Sequence, residues 1–336
     1  MKYALWATAV VLIGGTAVGA RAAKLPAADV RQNLFASCFV SNSEGWMVGD
    51  LGKIFHTTDG AQTWEVLDAG TKRPFVGITC PDNKHLWISG QAGEIAQSTD
   101  GGMTWQMQKS GTDHQLLDIH FVDLQHGLTV GDFGTVLRTE DGGATWTKVP
   151  LPQDMKLPPD VADVVEPGDV VLYTVSFGTA DHVWVAGEFG VILTSADGGQ
   201  TWHGQDSPVD SSLFGISFAD EQRGWAVGIE STLLATTDGG ITWRKQEVET
   251  PKGFALALYD IEVRGQYGWA VGNSGYLLNS KDAGVTWHLV NVPVQMGSSW
   301  FRGLSLLPDG HGFVVGAKGL VLAANGSDFT PLKKQF

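Results

Sequence analysis

One unit recurs along the whole chain. Its core reads W-x-V-G-x-x-G-x-I-x-x-T-x-D-G-G-x-T-W, and the glycine of each V-G pair, or its equivalent, falls at Gly49, Gly90, Gly131, Gly187, Gly228, Gly272 and Gly316. The steps between them are 41, 41, 56, 41, 44 and 44 residues. A period of this length marks repeated supersecondary units, each too small to bury its own apolar face without its neighbours. Alternation and turn glycines divide each unit into four short strands, as in Phe214-Gly215-Ile216-Ser217-Phe218, Trp225-Ala226-Val227-Gly228, Thr232-Leu233-Leu234-Ala235-Thr236 and a strand from Trp243. The prediction is all-β: one seven-bladed β-propeller of four-stranded blades over 23–336. The long step holds an insert at about 151–169, with four prolines and five acids, read as a surface loop. The seventh blade is degenerate, since Asn325-Gly326-Ser327-Asp328-Phe329 stands where the D-G-G-x-T-W should be. Ring closure is left open between Phe329 onward and residues near Asp29 to Leu34.

The turn between third and fourth strands carries an Asp-box. Asp59, Asp100, Asp141, Asp197, Asp238 and Asp282 are each followed five residues later by Trp64, Trp105, Trp146, Trp202, Trp243 and Trp287. Aspartate in a turn accepts backbone N–H bonds; glycine supplies positive φ; the indole packs between blades. A residue needed in six blades is structural, because catalysis needs its residue once. Five further tryptophans, Trp46, Trp87, Trp184, Trp225 and Trp269, share a second-strand position. Trp6 belongs to the amino-terminal segment, and Trp300 alone lies off the repeat, which makes it a candidate contact residue.

Lys2, an apolar run from Ala4 to Ala20, and Ala20-Arg21-Ala22 have the form of a cleavable signal peptide over 1–22, cut after Ala22. The alternative is a signal anchor in the inner membrane. The mature chain is expected in the periplasm, without direct membrane insertion and as a monomer. The chain has 36 acidic and 22 basic residues, a formal charge of −14, which argues against nucleic acid as a partner. Two cysteines rule out a disulfide scaffold or a four-thiolate zinc site. Cys38 and Cys80 fall on inner strands of neighbouring blades at offsets that face opposite sides of a sheet. A disulfide across one blade interface is geometrically allowed; two buried thiols are the alternative. The nine histidines show no H-x-H or H-E-x-x-H spacing, so neither metal nor cofactor is expected.

With the first strand innermost, fourth-to-first and second-to-third connections share one rim, opposite the Asp-boxes. That rim is the expected binding face. It carries Asp50, Asp132, Glu188 and Glu230 from short turns, with Lys72, Arg73, His114, Trp300, Arg302 and the acidic insert.

Signal segment, seven units and the repeat, with Gly187-Glu188-Phe189-Gly190-Val191-Ile192-Leu193 to Asp197-Gly198-Gly199-Gln200-Thr201-Trp202 as its representative, resemble the photosystem II stability/assembly factor-like family. The resemblance implies a non-enzymatic propeller that holds membrane subunits during assembly, with a membrane protein or complex exposed to the periplasm as its partner. In a host without photosystems the corresponding client would be an envelope complex such as a transporter. The arginines beyond the signal segment, Arg31, Arg73, Arg138, Arg223, Arg244, Arg264 and Arg302, are spread along the chain. The rival reading is a glycan-binding or glycoside-hydrolysing Asp-box propeller of the sialidase kind. Arg73-Pro74 lacks the residue between that sialidases have, and Tyr173, Tyr259 and Tyr276 occupy repeat positions.

Overall fold

The computed structural model describes residues 24–292 and 299–332. The signal segment 1–22 and its cleavage point lie outside them. Seven antiparallel sheets follow one another along the chain, each formed from one contiguous stretch with its first strand innermost. The inner strands are Leu34–Phe39, Phe75–Thr79, Leu116–Phe121, Leu172–Phe177, Leu213–Phe218, Leu258–Arg264 and Phe301–Leu306, in blades 1 to 7. Each packs against the next around a central channel, and the strand of blade 7 packs on that of blade 1.

No strand is exchanged at closure. The fourth strand of blade 7, Asp328–Pro331, completes its own sheet, and Phe329 lies against Trp269. The amino-terminal Leu25–Pro26 adds a fifth strand outside blade 1, pairing with Trp64 and Thr63. Just beyond it, Asn33 accepts the Lys318 N–H at 3.0 Å, which ties the two chain ends together.

The repeat glycine has a steric cause. A Cβ on Gly131 would lie 1.9 Å from the Gln115 carbonyl oxygen, and on Gly228 2.1 Å from that of Ser212. The second strand ends where the preceding connection crosses it, so no side chain fits.

Two systems join the blades. Near the Asp-box rim, the second-strand indole of one blade donates to the box turn of the next: Trp46 to Gly101, Trp87 to Gly142, Trp184 to Gly239, Trp225 to Gly284, and Trp269 to Gly326, at 2.9–3.0 Å. Blade 3 has Leu128 at that place, and the Arg138 guanidinium reaches Gly198 instead, at 2.8 Å. Within the boxes, the Asp238 carboxylate accepts both the N–H and the hydroxyl of Thr242, at 2.9 and 2.6 Å, and the other five aspartates repeat the pattern.

Around the channel, the fifth residue of one inner strand accepts the N–H of the sixth residue in the next. Thr79 takes Phe121, Ser176 takes Phe218, Ser217 takes Val263, Glu262 takes Leu306 and Ser305 takes Phe39. Between blades 1 and 2 those two places are Cys38 and Cys80, joined by a disulfide with Cα atoms 6.0 Å apart. A covalent link thus stands at a place where five of the other six seams use a hydrogen bond, and where His120 meets the Phe177 ring between blades 3 and 4, centres 5.3 Å apart.

The insert leaves the outer strand of blade 3 and lies along blade 4. Leu151, Met155 and Leu157 pack on the core shared by those blades, and Asp154 accepts the Gly204 N–H at 3.3 Å. It covers the outer edge of one sheet, as Leu25–Pro26 covers another.

Candidate functional site at the channel mouth

Every inner strand carries a bulge. The pairing with the second strand skips the second residue, as between Leu116 and Asp118 or Phe301 and Gly303. A bulged residue is freed from the ladder and re-aimed. The seven residues so placed are Phe35, Val76, Leu117, Tyr173, Phe214, Tyr259 and Arg302, and all seven line a cavity of about 200 Å³ at the rim opposite the Asp-boxes. Tyr173 meets Phe214 edge-on at 4.8 Å, and Phe214 lies 5.6 Å from Tyr259. The Arg302 guanidinium lies 5.8 Å from the centre of the Tyr259 ring. The mouth is therefore an aromatic and aliphatic wall with one cation.

The third residue of each inner strand forms the floor. In most blades it is small, but Asp118 and Asp260 stand there in blades 3 and 6. Each carboxylate bridges to the next blade: Asp118 accepts the Val175 N–H at 2.9 Å, and Asp260 that of Leu304 at 3.0 Å. Both keep partial exposure along the channel while protein encloses them. Burial pushes the Asp118 carboxyl up to about 6, opposed by its backbone hydrogen bonds. Burial, with the Glu262 and Asp118 charges added, pushes Asp260 well above the usual carboxylate range. Below the floor the channel widens to a compartment of about 470 Å³ lined by His120, Ser176, Ser217, Arg223, Glu262 and Arg264 among others. Burial lowers His120 to about 4, and the Arg264 charge adds to it. Aligning the inner strands by position exposes Asp118 and Asp260 as departures from small residues. That signal was present in the sequence, but the bulge hides it from a simple alternation.

The rim residues separate into two sets. Asp132 and Glu188, in the second-to-third-strand turns of blades 3 and 4, stand close to Tyr173 and to each other. Burial and then their charges raise the Tyr173 phenol to about 12. Asp132 is itself raised by burial, with His114 opposing and Glu188 reinforcing. Glu188 accepts the Val171 N–H at 2.9 Å, and His114 Nδ1 is 2.9 Å from the Thr135 hydroxyl. Trp300 stacks on Phe35, ring centres 5.9 Å apart, above the seam between blades 7 and 1. These residues edge the mouth. The other set is engaged elsewhere or faces solvent: Asp50 accepts the Asn33 N–H at 3.3 Å, and Arg73 pairs with Glu94 at 2.6 Å beside exposed Lys72. Glu230 sits exposed at a turn tip with φ 57°. Among the described residues, no hydrogen bond or ion pair joins them to the mouth.

Arg302 needs a correction. The sequence reading put it on a rim loop. It is the second residue of the blade 7 inner strand, because Phe301 already pairs with Gly316 and the bulge turns Arg302 into the channel.

Seven blades with this repeat and an unshared closure narrow the comparison with known proteins. The profile of the "Photosynthesis system II assembly factor YCF48" family matches residues 12–112, 103–206 and 202–301. The chain belongs to that family. Among solved structures, YCF48 bound to D1 peptide is similar at a TM-score of 0.69 and 21% identity, over 92% of this chain and 96% of that one. YCF48 from Cyanidioschyzon merolae gives 0.68 and 21%, over 90% and 98%. An ancestral GH74 enzyme gives 0.63 and 13%, over 91% of this chain but 45% of the enzyme. These likenesses speak for the fold. No curated protein sequence matches the chain.

Membership makes this an assembly-factor-type propeller, and that family is non-enzymatic. Among the described residues no group of three or more His, Cys, Asp or Glu is arranged to hold a metal ion. No helix among them is long and apolar enough to cross a membrane.

Proposed function

We propose that this YCF48-family member is a non-enzymatic scaffold that holds a membrane protein during assembly, working from the periplasmic side after removal of residues 1–22. The carrying observation is family membership, since the solved relative was captured with a D1 peptide. The binding face is the rim opposite the Asp-boxes, centred on the channel mouth with Asp132, Glu188, His114, Trp300 and Arg302. The Asp-box rim is committed to inter-blade bonds, whereas the mouth offers aromatic faces and a lone guanidinium. The client is a photosystem subunit in a photosynthetic host and an envelope complex, such as a transporter, in another.

The test is crosslinking in native cells followed by mass spectrometry of what the tagged protein captures. One enriched membrane complex, linked through residues of the mouth or the 151–169 insert, is the expected result. Capture should fall several-fold with Arg302→Ala while the melting temperature holds. Retention by glycan-bearing envelope fractions with no membrane protein enriched would overturn the scaffold in favour of a carbohydrate-binding propeller.

A further inference from the structure

The insert is the chain's one long departure from its repeat, a step of 56 residues where the others are 41 to 44. Its outer part covers blade 4, and its return leg packs against the second-to-third-strand turn of blade 3. Gly134 in that turn donates its N–H to the Val170 carbonyl at 2.7 Å. A Cβ on Gly134 would lie 2.6 Å from a Leu151 methyl and 2.8 Å from the Pro167 carbonyl oxygen. Turn and insert are thus in close contact at their base. Above it they part to leave a groove of about 320 Å³, with Phe133, Pro150, Leu151 and Pro167 as its apolar walls. Phe133 is the side chain this groove displays. Its φ of 54° lies in the left-handed region, which a bulky residue enters only at a cost. It stays 56% exposed, whereas Phe189, at the same place in the next blade, packs on the core. Val164 of the insert is a further apolar side chain on this rim, 77% exposed. Strain and exposure meet at a ring that supports no core cluster, and an occupant of the groove gives that ring a use.

Charge decides which occupant. Asp132 precedes Phe133 in the turn, Asp160, Asp163, Glu166 and Asp169 stand on the insert, and Glu188 reaches Asp132 from the neighbouring turn. Against these six acids stand Lys148 and Lys156. Among the described residues none of the eight forms an ion pair. An anionic lipid surface or a phosphorylated partner is repelled by such a set, and a neutral apolar ligand leaves it unused. A polypeptide segment with lysines or arginines around an apolar residue meets both the walls and the charge. The groove is at the small end of the range for binding pockets, so it takes one or two side chains rather than a folded face.

We infer that the groove between the Phe133 turn and the insert docks a basic segment of the client polypeptide, with an apolar side chain against Phe133, Pro150, Leu151 and Pro167 and its flanking lysines or arginines against the carboxylates of insert and rim. This inference rests on the reading of this rim as the binding face and names the chemistry of the partner.

The probe is an amino-terminally fluorescent, carboxy-amidated peptide, Lys-Lys-Gly-Leu-Phe-Gly-Lys-Lys, followed by anisotropy on the full chain as its host processes it. It is expected to bind at least tenfold more tightly than a control with glutamates for its lysines and a control with serines for Leu-Phe. Binding no tighter than either control overturns the proposal, and this comparison needs no variant to fold. Phe133→Gly should weaken the probe about tenfold while the melting temperature holds or rises, because glycine is at ease at that φ. A melting temperature that falls instead would make Phe133 a structural residue and overturn the proposal. Asp160→Asn together with Asp163→Asn should weaken the probe severalfold at low salt and little at high salt. Binding to phosphatidylcholine vesicles that Phe133→Gly abolishes would make the groove a lipid contact and overturn the polypeptide partner. In native cells, capture of a membrane complex that Phe133→Gly leaves unchanged overturns the groove and spares the scaffold. Probe binding as expected without any captured complex supports the groove and overturns the scaffold.

Discussion

At the scale of single residues, the repeat letters have separate physical meanings, and each can be tested alone. The V-G glycine is required by space rather than by dihedral freedom, since a Cβ at Gly228 would meet a backbone oxygen that has nowhere to go. Gly228→Ala should therefore cost about 2–3 kcal/mol, as overpacking against backbone does. Gly168→Ala, where a Cβ meets nothing within 4 Å, should stay within about 0.5 kcal/mol. Urea denaturation of both variants gives the comparison, and equal losses would refute the steric account. The box aspartate is a different case. At Asp282 the hydroxyl and N–H of Thr286 stabilise the carboxylate and hold its pKa at about 2. Glycine and aspartate roles of this kind were legible in the sequence because seven or six copies sit in equivalent places. The role of Arg302 was not, because one bulge residue differs from its six counterparts only once the register is known.

At the scale of strands and seams, the sequence showed the blades and their order but not what fastens them. The fifth-to-sixth-residue link around the channel is a backbone N–H meeting a side chain from another blade, 42 or more residues away in the chain. Alternation within one strand carries no trace of it. Once the link is seen, the cysteine pair reads as one of seven equivalent seams. Breaking it should cost about 2–4 kcal/mol, the usual range for a bridge closing a loop of this length. The position predicts more. In the background Cys80→Val, Cys38→Ser should be more stable than Cys38→Ala by about 1 kcal/mol, because serine restores the acceptor that Ser305 supplies for Phe39. Denaturation midpoints at equal m-values measure the difference. Equal midpoints would mean that the first seam has no place for a hydrogen bond. The insert is also an element-scale feature: its acids suggested a loop, and its apolar residues Leu151, Met155 and Leu157 make it an edge cover for blade 4.

At the scale of the whole molecule, carboxylates in two places act in opposite directions on stability. Those of the Asp-boxes have folded pKa values below their unfolded ones, as at Asp282 and Asp197, both about 2. Their contribution is fully present above the unfolded value and is lost as pH falls through about 2. Asp118 and Asp260 have folded values above their unfolded ones, so the folded state holds the extra protons. For such a group, stability declines as pH rises from the unfolded value through the folded one, which for Asp118 is about 6. The groups that face this pair across the channel are Glu262, His120, Arg264 and Arg302, and of these Glu262 adds to the rise at Asp260. His120, held down at about 4 by its burial, works the other way over the same window, because the folded state releases its proton first and stability rises with pH there. The channel carboxyls are therefore read as a difference between variant and wild type. Asp118→Asn should remove a falling component, so that its stability relative to wild type rises between pH 4 and pH 6, while the acid limb is unchanged. Asp282→Asn should alter the acid limb and leave that window unchanged. Because each aspartate sits on a different rim of the same ring, the two variants separate channel from Asp-box in one set of melting curves. A stability difference between Asp118→Asn and wild type that stays flat from pH 4 to pH 6 would refute the raised carboxyl on the channel floor.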